Sequence, residues 1–234
     1  KVKVTAYTEI TEELEKLPAA DYEAIVVKNI EIAIRKKIAH QLINGEGSTN
    51  ALTGIFSADA IQNRDIVEVV KIDGNTLDDI IYTYYGDEDV HNSGVLILNK
   101  LTLKDFATLK DTKGRKLYEV DYSKHIIDGI PFIVSSACPA FATSSNGDKF
   151  LAYGDPANIE LDVFSELEIA KSTDYQFKKG LISYRGSIFC GANVTVLDGF
   201  VVAKKKVTSP APEQGGGSGE SEQGGGTGGS DVQG

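Results

Sequence analysis

Few residues in this chain are spaced to do chemistry. Gly45-Glu-Gly47 matches the start of a dinucleotide-binding fingerprint, but its third glycine position is Asn50. The loop also follows an expected helix, whereas the fingerprint must follow a strand and open a helix. It therefore reads as a helix-ending turn. Gly86-Asp-Glu-Asp-Val-His91 sets three acids beside an imidazole. Hard cations need a folded cage of oxygen ligands, and this run lacks EF-hand spacing, so it reads as a solvated loop. His40 falls at the end of the same helix, where the dipole favours partial positive charge. His125 precedes a strand, with no nucleophile placed near it by any motif. Lys104, Lys110, Lys113, Arg115 and Lys116 form a basic cluster diluted by Asp105 and Asp111. Without interleaved aromatics for base stacking, it reads as a solvated face or an intersubunit ion-pair surface. HExxH, Walker A, GxSxG and CxxC patterns do not occur. The expectation is a chain with no catalytic, cofactor-binding or metal site.

These residues must be carried by a folded body, and the composition bounds it. Lys and Arg total 24 against 34 Asp and Glu, a net charge of −10, which argues against general affinity for nucleic-acid phosphate. Ten of the 24 glycines fall in residues 207–234, a stretch with four acids and no Lys, Arg or aromatic residue. It holds Glu213-Gln-Gly-Gly-Gly217 and again Glu222-Gln-Gly-Gly-Gly226. Such composition reads as a flexible tail, natural or an engineered linker, that cannot bury a core. The 206 residues before it can bury roughly 70% of their unfolded surface. Cys138 and Cys190 stand in apolar contexts without zinc or disulfide-framework spacing, which points to buried thiols in a reducing compartment. No apolar run approaches the ~20 residues of a spanning helix, and no signal-peptide pattern opens the chain. Its start at Lys1 rather than Met suggests a trimmed end.

The elements follow from periodicity. Lys1 to Thr5 alternates like a strand. Leu17-Pro18 marks a turn, and Asp21 is placed to cap a helix running to Leu42. Val27, Ile30, Ile34, Ile38 and Leu42 give it one apolar stripe, and Asn44-Gly45 ends it. Thr76, with Asp79, and Thr102, with Asp105, are placed to cap two shorter helices. Their core faces are Leu77, Ile80, Ile81 and Tyr84 in one, and Leu103, Phe106 and Leu109 in the other. Val95 to Leu98, Gly129 to Val134 and Phe150 to Tyr153 read as strands. So do Ile159 to Val163 and Leu167 to Ile169, with apolar residues to one side and acids to the other. A long strand from Leu181 to Ala192 carries Ile182, Tyr184, Ile188 and Cys190 on one face, and Phe200 to Ala203 closes the body. A long helix, then mixed elements, then a strand cluster is an α+β order rather than a doubly wound sheet.

Taken in order, five segments resemble the tailed-bacteriophage major capsid proteins, the Hong Kong 97 phage fold shared with encapsulins. They are the long helix with its glycine-rich turn through Ile55, and Val95-Leu-Ile-Leu-Asn99 followed by Leu103 to Arg115 with its LKDxxGR-type turn. Then come Ile127-Asp-Gly-Ile-Pro-Phe-Ile-Val134, Phe150-Leu-Ala-Tyr-Gly-Asp155, and Gly180 to Ala192 leading to Phe200-Val-Val-Ala203. Two positions depart from the family pattern: Cys190-Gly191 stands where many relatives carry Asp-Gly, and Leu197-Asp-Gly-Phe200 where they carry Pro-x-Ala-Phe. The resemblance implies a long spine helix, a peripheral domain and an axial domain. Residues 1–72 would hold the return strand of the extended loop, the spine helix and the first peripheral part. Residues 73–158 would form the axial domain, 159–206 the remaining peripheral strands and closing strand, and 207–234 the disordered tail. It also implies a structural protein, not an enzyme, that self-assembles into hexamers and pentamers of an icosahedral shell around double-stranded DNA, without reading its sequence. Portal, scaffolding and maturation-protease proteins would be further partners, and no membrane would be. The shell would be assembled in the host bacterial cytoplasm and found in the virion. An encapsulin-type nanocompartment shell is the alternative reading, and a cytosolic hydrolase using the acidic run and His91 a remote one.

Overall fold

A computed structural model describes residues 1–15, 22–84 and 94–207. The expected turn at Leu17-Pro18, the Asp21 cap, the acidic run through His91 and all but the first residue of the tail lie outside them. The described residues form two sheets, joined through the foot of the long helix.

The first sheet is built on β10 (Leu181–Val194). Strand β1 (Val2–Thr11) pairs antiparallel along one edge of β10, from Val2 opposite Cys190 to Thr11 opposite Leu181. The other edge is shared by β8 (Ile159–Val163) and β9 (Glu168–Gln176). Across one face lies the long helix α2 (Tyr22–Asn44), preceded by the single turn α1 (Glu12–Glu15). With 23 residues, α2 is about 34 Å long. It docks through Val26, Ile30 and Ile34 against Val2, Val4, Ile182, Tyr184 and Cys190. Gly186 sits beneath it, and any Cβ there would collide with Ile30 Cγ2. The stripe expected from Val27 to Leu42 is shifted: Val26 and Ile43 are the buried residues at its ends, while Val27, Ile38 and Leu42 are half-buried. A straight helix drifts around its axis over six turns, so its foot faces a different neighbour from its head.

The second sheet has seven strands in the order β2-β11-β7-β3-β6-β5-β4. These are β2 (Ile66–Val69), β3 (Val95–Leu98), β4 (Val120–Asp121), β5 (Ile126–Ile127), β6 (Ile130–Val134), β7 (Lys149–Gly154) and β11 (Phe200–Lys205). Pro131 sits within β6, opposite Ile126. Helices α3 (Thr76–Thr83) and α4 (Lys100–Thr108) cover one face through Leu77, Ile80, Leu103 and Phe106. Ile43 of α2, Ile55, Ala58 and Cys138 cover the other, against Ile97, Ala152, Phe200 and Val202. Alternate residues of β11 therefore enter two cores, Val201 and Ala203 one and Phe200 and Val202 the other.

Both expected helix caps fall elsewhere. Asp73 Oδ1 accepts from Thr76 N–H at 3.1 Å, and Thr76 Oγ1 accepts from Asp73 N–H at 2.9 Å. The reciprocal box thus begins three residues before the expected one. Asn99, not Thr102, caps α4, its Oδ1 accepting from Leu101 N–H at 2.9 Å. Thr102 is buried, and its Oγ1 accepts from Phe141 N–H at 3.0 Å, tying α4 to the loop before β7. Both threonines have the cap chemistry but lie three residues after the residue that caps, Asp73 or Asn99, so the same oxygen serves a different donor.

Candidate assembly surfaces

The residues that could do chemistry are dispersed. The Gly45–Asn50 loop folds back on the end of α2: Gly54 N–H donates to Gly45 O at 2.8 Å, and Gly45 N–H to Gln41 O at 2.8 Å. A Cβ at Gly45 would run into Leu52 O, so the two chain segments touch backbone to backbone. Gly47 and Asn50 both take left-handed backbone angles. The loop terminates a helix and opens onto the short turn Ile55–Ser57, so it offers no helix N-terminus for a phosphate.

His40 is exposed on α2, and His125 lies at φ 55 with its ring tilted against Phe132, 5.5 Å between centroids. The basic cluster divides. Asp111 clasps the turn, accepting from Lys113 N–H at 2.8 Å, Arg115 N–H at 2.9 Å and Arg115 Nε at 3.0 Å. Those bonds hold the Asp111 carboxyl below its usual range. Lys104 lies apart, on α4 beside Lys100. Both cysteines are buried and unpaired with each other. Burial pushes the Cys138 thiol up to about 12 and raises that of Cys190, so neither is poised as a thiolate. Among the described residues, no three His, Cys, Asp or Glu side chains converge as for a metal ion.

One constellation escaped sequence reasoning. Asp65 is buried before β2 and lies beside Asp198, in the turn between β10 and β11. Arg64 ion-pairs with Asp198, and Asp65 Oδ2 accepts from Gln62 N–H at 2.7 Å. Asp65 Oδ1 and Asp198 Oδ1 have no hydrogen-bond partner. Burial, with the Asp198 carboxylate adding to it, raises the Asp65 carboxyl above its usual range against the pull of Gln62 N–H and Arg64. Elsewhere Glu68 sits between Lys204 at 2.8 Å and Lys206 at 2.6 Å, and these hydrogen-bonded ammoniums lower it to about 2.

The surface is informative where it is apolar. Leu161, Val163 and Phe164 are 40%, 57% and 53% exposed. The alternation in β8 is as expected, but α2 does not reach far enough across the sheet to cover its apolar side. On the second sheet, Leu101, Tyr122, His125, Phe132 and Val134 line a cleft of about 600 Å³ between α4 and the β5–β6 hairpin. Tyr82 projects from α3 at 81% exposure. A body with a complete interior and several unpaired apolar surfaces has the character of an assembling subunit.

The sequence pattern of the phage capsid family matches residues 1–205, nearly the whole of the folded body. The chain belongs to the phage capsid family. Its α+β architecture is the Hong Kong 97-type capsid fold. The capsid of an empty GTA particle superposes with a TM-score of 0.74 at 17% identity, covering 88% of this chain and 72% of that one. Gordonia phage Cozz gives 0.64 at 15% identity over 88% and 70%. The holo-SrpI encapsulin complex from Synechococcus elongatus PCC 7942 gives 0.60 at 15% identity over 86% and 72%. Comparison with curated protein sequences gives no match. As a capsid family member the protein is a structural shell protein, it associates with itself, and the virion capsid is its place. No helix among the described residues is long and apolar enough to cross a membrane.

Proposed function

We propose that this chain is the major capsid protein of a tailed double-stranded DNA phage or prophage, building hexamers and pentamers of an icosahedral shell in the host bacterial cytoplasm. The observation that carries this reading is the capsid family match across residues 1–205. In this reading the long helix is the spine, and β1 is the return strand of the extended loop. The axial domain is built from residues 73–158, and residues 1–72 and 159–206 form the peripheral domain, with 207–234 as a disordered appendage. In this reading β2 and β11, which belong by residue range to the peripheral part, pair with each other and, through β11, with β7 in the seven-stranded sheet. Many modest contacts acting together close such a shell. Portal, scaffolding and maturation-protease proteins are the partners it would need. The net charge of −10 suits a container that encloses DNA without gripping it.

The test is to produce the full-length protein and image it. Closed icosahedral particles are expected, and a protein that stays monomeric under every assembly condition overturns the reading. A second reading, an encapsulin-type nanocompartment, is favoured by the fold's likeness to the encapsulin complex. Particle contents separate the two: nuclease-protected double-stranded DNA supports the phage capsid, and a co-purifying cargo enzyme supports the nanocompartment.

A further inference from the structure

We propose that the seven-stranded lobe makes a head-to-tail contact between copies, in which the Tyr82 knob on α3 of one copy seats in the cleft between α4 and the β5–β6 hairpin of the next. This rests on the reading of the chain as a shell subunit.

The knob is aromatic and acidic. Tyr82 is 81% exposed, and Asp78, one helical turn before it, and Asp79 are exposed beside it. Residues four apart share a helix face, so Asp78 and Tyr82 are presented together. The cleft is the reverse: apolar through buried Leu103 and Phe132 and exposed Leu101, Tyr122 and Val134, and basic through the exposed Lys100 and Lys104. About 600 Å³ is room for an aromatic ring. Tyrosine suits the part, since its ring fills an apolar pocket while its hydroxyl stays near polar groups.

The rim is also set unfavourably in a single copy. Lys100 and Lys104 stand four apart on one face of α4, a spacing at which like charges weaken a helix. Lys100 lies in the first turn, at the positive end of the dipole, and that turn has no acid. Carboxylates arriving from Asp78 and Asp79 of a neighbour would relieve both. Within one copy the Asp78 charge lies near Tyr118, and neither Asp78 nor Asp79 is among the residues lining the cleft. Helix α3 packs on β2 and β11 at one end of the sheet, whereas the cleft lies at the β5–β6 end. A contact joining unlike surfaces repeats around an axis and closes into a ring when its rotation permits.

The test uses two charge-reversed forms of the full chain, Asp78→Lys with Asp79→Lys, and Lys100→Glu with Lys104→Glu. All four side chains are exposed; reversing Asp78 and Asp79 in the first turn of α3 should cost that helix a little stability, and thermal unfolding checks that each form remains folded. Sedimentation should show each form alone needing at least about tenfold more protein to assemble, because like charges then face each other across the contact. Mixed together, each form offers the other an oppositely charged surface, and assembly should return. The same rescue should fail when the mixed forms also carry Tyr82→Ala. Folded variants that assemble normally alone, or that do not recover on mixing, overturn this contact while leaving the shell reading intact. An unmodified chain that never assembles overturns the shell reading and this contact with it.

Discussion

Strands β8 and β11 lie close in the chain and face very different surroundings. Every residue from Phe200 to Ala203 in β11 is fully buried, with neighbours on both edges and cores on both faces. In β8 only Ile159 is half-buried, and Leu161 and Val163 stay exposed. The same contrast holds for the sheets that carry them. The seven-stranded sheet is covered on both faces around β11, β7 and β3 by parts of its own chain, and opens at its β6 end, where Ile133 and Val134 are exposed. The four-stranded sheet has one helix across one face, and apolar side chains at its margin are left uncovered. The strands at the heart of the seven-stranded sheet are complete in the monomer, while both lobes keep apolar surface at a margin, Leu161 and Val163 on one and Tyr82, Leu101 and Tyr122 on the other, as a shell subunit requires.

This contrast can be broken most forcefully at β11. Phe200→Ala should destabilise the protein by about 3 to 5 kcal/mol, the range for aromatic truncation in a core that cannot collapse. Denaturant unfolding would measure it, and a cost below about 1 kcal/mol would mean that β11 is less enclosed than described. A smaller loss, about 1 to 3 kcal/mol, is expected from Gly186→Ala, where the new Cβ meets Ile30 Cγ2. It should loosen α2 on the four-stranded sheet, so hydrogen exchange should quicken in α2 and stay unchanged in β7.

Asp65→Asn should act in the opposite direction. The folded chain binds the Asp65 proton more tightly than the unfolded chain, whose reference value is 3.8. The site therefore favours folding below that value, and this contribution is lost as pH rises through the raised folded-state value. Asparagine stays neutral throughout and can donate to the unpartnered Asp198 Oδ1. A gain of about 1 to 3 kcal/mol is expected at neutral pH, shrinking to nothing in acid. Melting curves across pH would show it, and a loss at neutral pH would mean that the carboxylate is well solvated. The smallest effect on folding should come from Leu161→Ser with Val163→Ser, within about 0.5 kcal/mol of the parent because both sites are open. If β8 is a partner surface, the same double substitution should reduce self-association in sedimentation. Unchanged assembly would show that this margin contacts nothing.

Much of the fold was legible in the sequence. Helix α2, strands β3, β7 and β10 and the closing strand were all marked by periodicity and by turn residues that act locally. The misplacements were local too. Thr76 and Thr102 have the chemistry of caps, but Asp73 and Asn99 occupy the positions where unbonded N–H groups point. The candidate surfaces were not legible. Leu161 and Val163 alternate as buried residues do, and nothing in β8 itself records that α2 stops short of them. Lys104 reads as one of a local cluster with Lys113 and Arg115, yet it belongs with Lys100 at the cleft.

By itself the sequence determined the elements, the absence of any recognisable catalytic motif and the likeness to capsid proteins, because periodicity, turn chemistry and ordered motifs act over a few residues at a time. Tertiary structure decided which apolar residues are covered, which faces carry charge, and that Asp65 meets Asp198. Those outcomes depend on segments distant in the chain coming into contact, and Arg64 and Asp198, separated by 134 positions, are the plainest case.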